Sequence, residues 1–276
     1  MLGTRVATAL VLLVLFLTAL FWLPTGVWGG FVGLLLIPAA WEWGRLIKLG
    51  RGGCSLYVIL VIAVCALVSG QLQADPPVGA AFVRNASFLV ATLFWMVIVP
   101  LWLWRSWLPR SRWLAALTGL VVLVPTWLAL VDLRAVGPVS LLLLLSVAWI
   151  SDIAAYFAGR SFGRRKLAAT ISPGKTWEGV AGALLAVSAY AALWSYAWPQ
   201  HFPQALTSAG FGGFGMLLFL WLLTAVGIYG DLFESALKRR AGVKDSGGLL
   251  PGHGGVLDRI DALTAVLPVA ALVYLS

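Results

Sequence analysis

The chain has 276 residues, of which 61% are hydrophobic and 11% charged, and it carries 15 tryptophans and a net charge of +9. This composition excludes an ordinary soluble globular protein and is typical of a protein that crosses a lipid bilayer many times. Two cysteines, Cys54 and Cys65, are too few for a disulfide framework and have no metal-binding spacing.

Apolar runs long enough to cross a membrane follow one another along the chain, separated by short polar loops. We predict nine transmembrane helices, at residues 6–23, 27–43, 55–70, 88–104, 113–131, 137–158, 179–198, 211–230 and 258–275. The first run is longer than the apolar core of a typical signal peptide and no A-x-A site follows it, so we interpret it as an uncleaved span. The predicted fold is all-α, a single polytopic membrane domain.

The positions of lysine and arginine predict how this domain is oriented. If the N-terminus is cytoplasmic, 17 of the 19 basic residues fall in cytoplasmic segments and only Arg84 and Arg134 fall outside. We therefore predict a protein of the inner or plasma membrane whose charged loops face the cytoplasm. Basic inner loops face anionic lipid headgroups, so the net charge requires no nucleic-acid partner.

The N-terminal helices, residues 1–136, contain few residues that could carry chemistry. Glu42 lies between Trp41 and Trp43 at the predicted cytoplasmic end of the second span. Tryptophan belts commonly occupy such a boundary, so we expect an interfacial role for this segment.

The C-terminal half, residues 137–276, is the predicted catalytic region, with cytoplasmic loops at 159–178 and 231–261. Its first charged residue, Asp152, lies near the inner end of a predicted span. An acid at that depth should face protein or a water-filled cavity rather than lipid. The polar residues of interest in this part of the chain are Asp152, Tyr156, Ser172, Lys175, Thr176 and Glu178.

The most polar stretch, residues 231–261, holds five of the ten acidic residues and five of the 19 basic ones. Its first polar residues share one face of a helix end: Asp231, Glu234, Ser235 and Lys238. Gly242 is a predicted helix stop. Six glycines within residues 242–255 predict a loop that turns tightly and presents N–H groups to an anion. A new helix is predicted from Val256.

Acids at these two helix ends indicate a magnesium site. Mg²⁺ takes hard oxygen ligands, commonly one or two carboxylates together with substrate phosphate oxygens. The predicted ligands are Asp231, Asp258 and Asp261. The basic residues expected to pair with phosphates are Lys238, Arg239, Arg240, Lys244 and Arg259. The stretch therefore predicts metal-dependent phosphate transfer, the alternative being a solvated loop with local ion pairs.

Residues 235–261 resemble the signature of the phosphatidate cytidylyltransferase family, also called CDP-diacylglycerol synthases. The matching residues are Ser235, Leu237, Lys238, Arg239, Lys244, Asp245, Gly247, Leu250, Pro251, His253, Gly254, Gly255, Asp258, Arg259 and Asp261. The run SPGKTWEG at 172–179 is similar to a second motif of that family. Asp152, Tyr156 and Gly159 match the segment just upstream of it.

The resemblance implies an activity, transfer of the cytidylyl group of CTP to phosphatidic acid, which yields CDP-diacylglycerol and pyrophosphate in phospholipid biosynthesis. It implies catalytic roles for Asp231, Lys238, Arg239, Asp258, Asp261 and His253, the histidine either moving a proton or shaping the loop. It implies substrate contacts from Asp152, Tyr156, Ser172, Lys175, Thr176, Glu178, Ser235, Lys244, Asp245, Gly254, Gly255 and Arg259. It also implies Mg²⁺ with a second cation, and a homodimer.

Two other functions remain open at this point. One is a CTP-dependent lipid kinase of the polyprenol or phytol type, because such kinases have motifs that partly resemble this one. An ion-coupled transporter could use Asp152, Asp231 and Asp258 as an intramembrane relay. Against the transporter, the charges cluster on one face and in loops, and no broken inverted repeat is visible.

Overall fold

The computed structural model describes residues 2–72, 78–109, 111–250 and 252–275. Of these residues 82% are helical, and the one sheet that they form is a two-stranded hairpin. Pro251, which belongs to the predicted signature, lies outside the described residues.

The long helices coincide with the predicted apolar runs. Their bounds are α1 Leu2–Trp22, α2 Thr25–Leu46, α3 Arg51–Leu72, α4 Val78–Leu93, α5 Val99–Trp104, α6 Arg112–Val136, α7 Pro138–Phe162, α8 Trp177–Ala197, α10 Gly212–Ala241 and α11 Leu257–Leu275. A π-helical turn, Phe94–Ile98, joins α4 to α5, and the short helix α9 spans Gln204–Ser208.

Six helical segments of the described chain are long and apolar enough to cross a membrane. They are 51–71, 81–104, 112–136, 138–162, 177–197 and 212–241. The predicted class, an all-α integral membrane protein, is thereby confirmed. The number of spans and the side on which the N-terminus lies stay predictions.

Hydrogen bonds from two tryptophan side chains join α2 to α6 in the N-terminal half. Trp28 Nε1 donates to the carbonyl oxygen of Leu130 at 2.9 Å, and Trp43 Nε1 donates to that of Ala115 at 3.0 Å. The order of these two pairs shows that the helices run antiparallel, and each bond satisfies a buried indole N–H. The interfacial role expected around Glu42 is wrong, because Trp43 and Glu42 are both buried inside the protein.

Glycines bring the helices of the catalytic half into close contact. A Cβ on Gly179 would overlap the carbonyl oxygen of Ala155, so α8 packs directly on the α7 backbone. A Cβ on Gly230 would likewise overlap the carbonyl oxygen of Asp261, which brings α10 against α11. Small residues commonly allow such close approach in membrane helices. The packing places the polar residues of α7, α10 and α11 together.

The loop between α7 and α8 contains the hairpin, which sequence analysis did not predict. Strand β1, Lys166–Ala168, pairs antiparallel with β2, Ser172–Thr176, and Lys166 lies opposite Thr176. The hairpin carries the Ser-Pro-Gly-Lys-Thr run on β2. It therefore holds Lys175 at a defined place beside the helix ends.

Candidate active site

The last turns of α10 form one wall of the site. Ser235 Oγ donates to Asp231 Oδ1 at 3.2 Å, and Lys238 Nζ lies 2.5 Å from Glu234 Oε2. The helix ends at Ala241, because Gly242 adopts a left-handed conformation with φ of 80°. The predicted shared face and the predicted helix stop are both confirmed.

The glycine-rich loop folds back on itself before α11 begins at Leu257. Leu250 N donates to the carbonyl oxygen of Gly254 at 3.0 Å. Gly254 has a φ of 82°, which favours glycine. The loop lies where sequence predicted it, and α11 starts one residue later than expected.

The loop amides bind a carboxylate of the protein itself. Asp258 Oδ2 accepts from the backbone N–H of Ser246 at 2.9 Å and from that of Gly255 at 2.8 Å. Its other oxygen, Oδ1, lies 2.6 Å from Lys238 Nζ. The anion bound by these N–H groups is therefore the side chain of Asp258, which the loop orients toward Lys238.

Lys238 is the centre of the first of two charged groups. Its ammonium lies between Glu234 and Asp258, and its side chain is only 13% exposed. Glu234 is buried, so a cation between the two carboxylates offsets the cost of removing them from water.

Lys175 is the centre of the second charged group. Its ammonium lies 2.6 Å from Asp231 Oδ2. Asp152 and Asp261 are near enough to interact electrostatically with Asp231 and with Lys175. One lysine of the hairpin thus lies near carboxylates of three helices, α7, α10 and α11, and is ion-paired with that of α10.

The predicted metal ligands divide between these two groups. Asp231 and Asp261 lie in the Lys175 group, whereas Asp258 is bound by Lys238 and by the loop amides. No three His, Cys, Asp or Glu side chains of the described residues are arranged to hold a metal ion. The metal site stays a prediction. The carboxylates near Lys175 are those of Asp231, Asp261 and, in addition, Asp152.

A cavity of about 480 Å³ opens beside the hairpin. Ser161, Phe162, Gly163, Arg164 and Glu178 line it. Both carboxylate oxygens of Glu178 accept from the backbone N–H of Arg165 at 3.2 Å, so this predicted substrate contact also fixes the hairpin's base.

Two other predicted substrate contacts have structural partners. Thr176 Oγ1 accepts from Gly179 N at 3.1 Å and caps α8. Tyr156 is exposed on α7 and its hydroxyl accepts from Arg160 at 2.8 Å.

The remaining predicted residues lie around the rim of the site. Arg239 Nε donates to the carbonyl oxygen of Ile171 at 3.4 Å, which joins the hairpin turn to α10. Three further charged residues are exposed: Lys244, Asp245 and Arg259. Ser172 and His253 are half-buried, and Gly255 is buried where the loop approaches α11.

Comparison with known proteins decides the family. The model of the cytidylyltransferase family matches residues 3–276. The chain belongs to the cytidylyltransferase family. It is 39% identical to the phosphatidate cytidylyltransferase of Pseudomonas aeruginosa, over 99% of this chain and 97% of that protein. It is 31% identical to that of Haemophilus influenzae, over 99% of both chains, and 34% identical to that of Thermotoga maritima, over 89% and 86%.

In this member of the cytidylyltransferase family, three residues lie near the site that were not among the predicted site residues. They are Glu42, Glu234 and Ser246. Glu42 and Glu234 are 4% and 5% exposed, and each is an acid within an apolar helix. An acid within an apolar helix commonly marks a functional position in membrane proteins, so the sequence did contain a signal for these two residues. Ser246 had no signal, because a serine in a glycine-rich loop is ordinary.

Proposed function

We propose that the chain transfers the cytidylyl group of CTP to phosphatidate and releases pyrophosphate. The observation that carries this proposal is the match to phosphatidate cytidylyltransferases over nearly the full length. It is supported by a site in which two lysines are each paired with an aspartate, because positioned charges of this kind suit a reaction between phosphate groups.

In the proposed reaction, a phosphate oxygen of phosphatidate forms a bond to the α-phosphorus of CTP. The bond from that phosphorus to the oxygen bridging to the β-phosphate breaks, and pyrophosphate leaves with the electron pair. Phosphatidate is already anionic at neutral pH, so the chain needs no strong general base. Its contribution is positioning of the two substrates and neutralisation of their charge.

Lys238, Lys175 and Arg239 are the proposed phosphate-binding cations, with Arg259 on phosphatidate. Lys238 is held by Glu234 and Asp258, so its ammonium is oriented before substrate arrives. Arg239 is exposed and needs only to release the hairpin carbonyl of Ile171. Glu178 and Arg164 line the adjoining cavity, which is large enough for part of a nucleotide.

Mg²⁺ is the proposed cofactor, and Asp231 and Asp261 with Asp152 are the residues that would hold it. They fit by donor chemistry, because all three are carboxylates and a lysine ammonium is already paired with Asp231 and interacts with the other two. Mg²⁺ usually takes one or two carboxylates and completes its shell with water and substrate phosphate, so no three-carboxylate cage is required. When bound, it neutralises triphosphate charge as pyrophosphate leaves. The family resemblance also supports a second cation.

The proposed site faces the cytoplasm, with a cytoplasmic N-terminus and nine spans. The basic split supports this orientation. Arg84 pairs with Asp132 at 3.0 Å, and Arg134 donates to the carbonyl of Leu23. Arg84 and Arg134, the two basic residues predicted to lie outside the cytoplasm, are therefore near the start of α2, at the opposite end from Glu42. The resemblance supports a homodimer as well, which sizing of the purified protein in detergent would test.

The test is an assay with purified chain, Mg²⁺, CTP labelled in either the α- or the γ-phosphate, and mixed micelles that contain either phosphatidate or an isoprenoid alcohol. Cytidylyl transfer places the α-label in lipid and releases pyrophosphate. A polyprenol or phytol kinase would place only the γ-label in lipid, on an alcohol substrate. Transfer of neither label would overturn the proposal and return the transporter to consideration.

A further inference from the structure

Glu42 is a buried acid from the N-terminal half that contacts the signature loop. It is 4% exposed, and no lysine or arginine of the described residues forms an ion pair with it. A buried carboxylate without a cation is costly unless hydrogen-bond donors satisfy it. The structure provides those donors from residues more than 200 positions away in sequence.

The donors belong to the start of α11 and to the loop before it. Glu42 Oε1 accepts from Val256 N at 3.0 Å, and Oε2 accepts from Leu257 N at 2.9 Å. Ser246 Oγ donates to the same Oε2 at 2.9 Å. The first N–H groups of a helix lack partners inside the helix and carry its positive dipole end. Glu42 therefore caps α11 from another helix.

The loop is shaped around this carboxylate. A Cβ on Gly247 or on Gly255 would overlap the carboxylate of Glu42. These two glycines belong to the signature, and the space that their missing side chains leave is filled by Glu42. Any larger residue at either position would displace the acid or the loop.

The contacts continue to Lys238. Ser246 Oγ lies 2.9 Å from Glu42 Oε2 and 3.0 Å from Asp258 Oδ2, so one hydroxyl joins two carboxylates. Asp258 in turn holds Lys238 Nζ at 2.6 Å. A shift of the Ser246 segment would therefore move the oxygen that orients the lysine.

We propose that Glu42 is a positioning residue for cytidylyl transfer, which caps α11 and fixes the loop so that Asp258 holds Lys238 in place. This inference depends on the proposed function for its reaction but not for its geometry. Glu42 touches no reacting atom; it acts through Ser246 and the start of α11. Misplacement of a reacting group by about 1 Å lowers turnover by about 100-fold.

The test compares Glu42→Gln with the control Asp132→Asn in the full purified chain. Asp132 is also a buried acid of the N-terminal half, paired with Arg84. Asp132 belongs to α6 and lies near the start of α2, where Trp28 donates to the carbonyl of Leu130. Glu42 is 14 residues beyond Trp28 (42 − 28), about 20 Å along α2 at about 1.5 Å per residue. Glutamine keeps one acceptor oxygen but turns an NH₂ group toward a backbone N–H, which leaves that donor unpaired.

Two measurements are made, amide hydrogen exchange of residues 244–258 and the kinetic constants for CTP and phosphatidate. We expect Glu42→Gln to accelerate exchange in this segment about tenfold or more and to lower kcat about 10- to 100-fold. Asp132→Asn should change neither. Glu42→Asp, which keeps the charge on a shorter side chain, should fall between, and it replaces the glutamine variant if that fails to fold.

A lower melting temperature with unchanged kcat and unchanged exchange at 244–258 would show a merely structural role and overturn the inference. If wild-type protein itself transfers no cytidylyl group, the proposed function fails. In that case the amide hydrogen exchange of residues 244–258 still decides whether Glu42 holds the loop, because this measurement needs no substrate.

Discussion

Lys175 Nζ lies 2.6 Å from Asp231 Oδ2, a contact that joins the β-hairpin to the end of α10. The hairpin that carries the 172–179 motif is therefore ion-paired with α10, four residues before the second motif begins at Ser235. Because Asp152 and Asp261 also act on this lysine, its ammonium is the cation of a three-carboxylate cluster.

Lys175→Gln should lower turnover about 100-fold, a loss comparable to removing one donor from a transition-state site. It should also strengthen divalent-cation binding in the absence of substrate, because no ammonium then competes for the three carboxylates. Thermal stabilisation by Mg²⁺ or Mn²⁺ measures the second effect. Lys166→Gln is the matched control, since Lys166 is exposed on the other hairpin strand. A Mg²⁺ titration identical to wild type would contradict the predicted cluster.

Lys238→Gln should raise the apparent KM for CTP and lower turnover, because the charge on the leaving pyrophosphate increases in the transition state. It should also destabilise the fold by about 3–5 kcal/mol, since two carboxylates lose their shared cation. Adding Glu234→Gln should recover stability but not activity. Denaturation and steady-state kinetics on the same preparations separate these effects. Arg51→Gln, at the exposed start of α3, controls for charge alone.

Asp261→Asn and Asp258→Asn should give different phenotypes. Asp261→Asn relieves carboxylate repulsion, so it should abolish activity, weaken the Mg²⁺ dependence and leave the metal-free protein as stable as wild type or more so. Asp258→Asn should destabilise the protein, because it weakens the bonds to Lys238, Ser246 and Gly255. Melting temperature and activity are measured with and without Mg²⁺. An Asp261→Asn protein that melts lower yet turns over normally would remove Asp261 from the metal site.

Labelling of single cysteines in intact cells tests the orientation. Cys54 and Cys65 are buried and can be replaced by alanine to remove background. Cysteine at exposed position Lys244 should be protected from an impermeant reagent, whereas cysteine at exposed position Gln200 should react. Cell lysis should make position 244 reactive. Labelling of position 244 from outside before lysis would reverse both the topology and the side of the site.

The helix ends of the site could be predicted from the sequence because their signals are local. Gly242 ends α10 through its own left-handed backbone, and glycine density alone predicts the loop that follows. Helical spacing was less informative for Asp258 and Asp261. Residues three apart differ by about 60° around the helix and about 4.5 Å along it. That offset is enough to turn one aspartate toward Lys238 and the other toward Asp231.

The features that could not be predicted from the sequence depend on contacts between distant segments. The hairpin that carries Lys175 is held by Glu178 and by Arg239, and neither contact follows from the composition of the loop. Glu42 meets Val256 only because α2 packs near the start of α11. Its tryptophan neighbours suggested a membrane boundary, whereas Trp43 is buried against α6.

The cap that α2 places on α11 limits how this protein can be recombined. Residues 137–276 hold every residue of both recognised motifs, yet a gene fragment encoding them alone would leave the start of α11 without its acceptor. The two halves are therefore not interchangeable modules. In chimeras with a relative, an N-terminal half should restore cytidylyl transfer only if it supplies an acid that reaches Ser246, Val256 and Leu257.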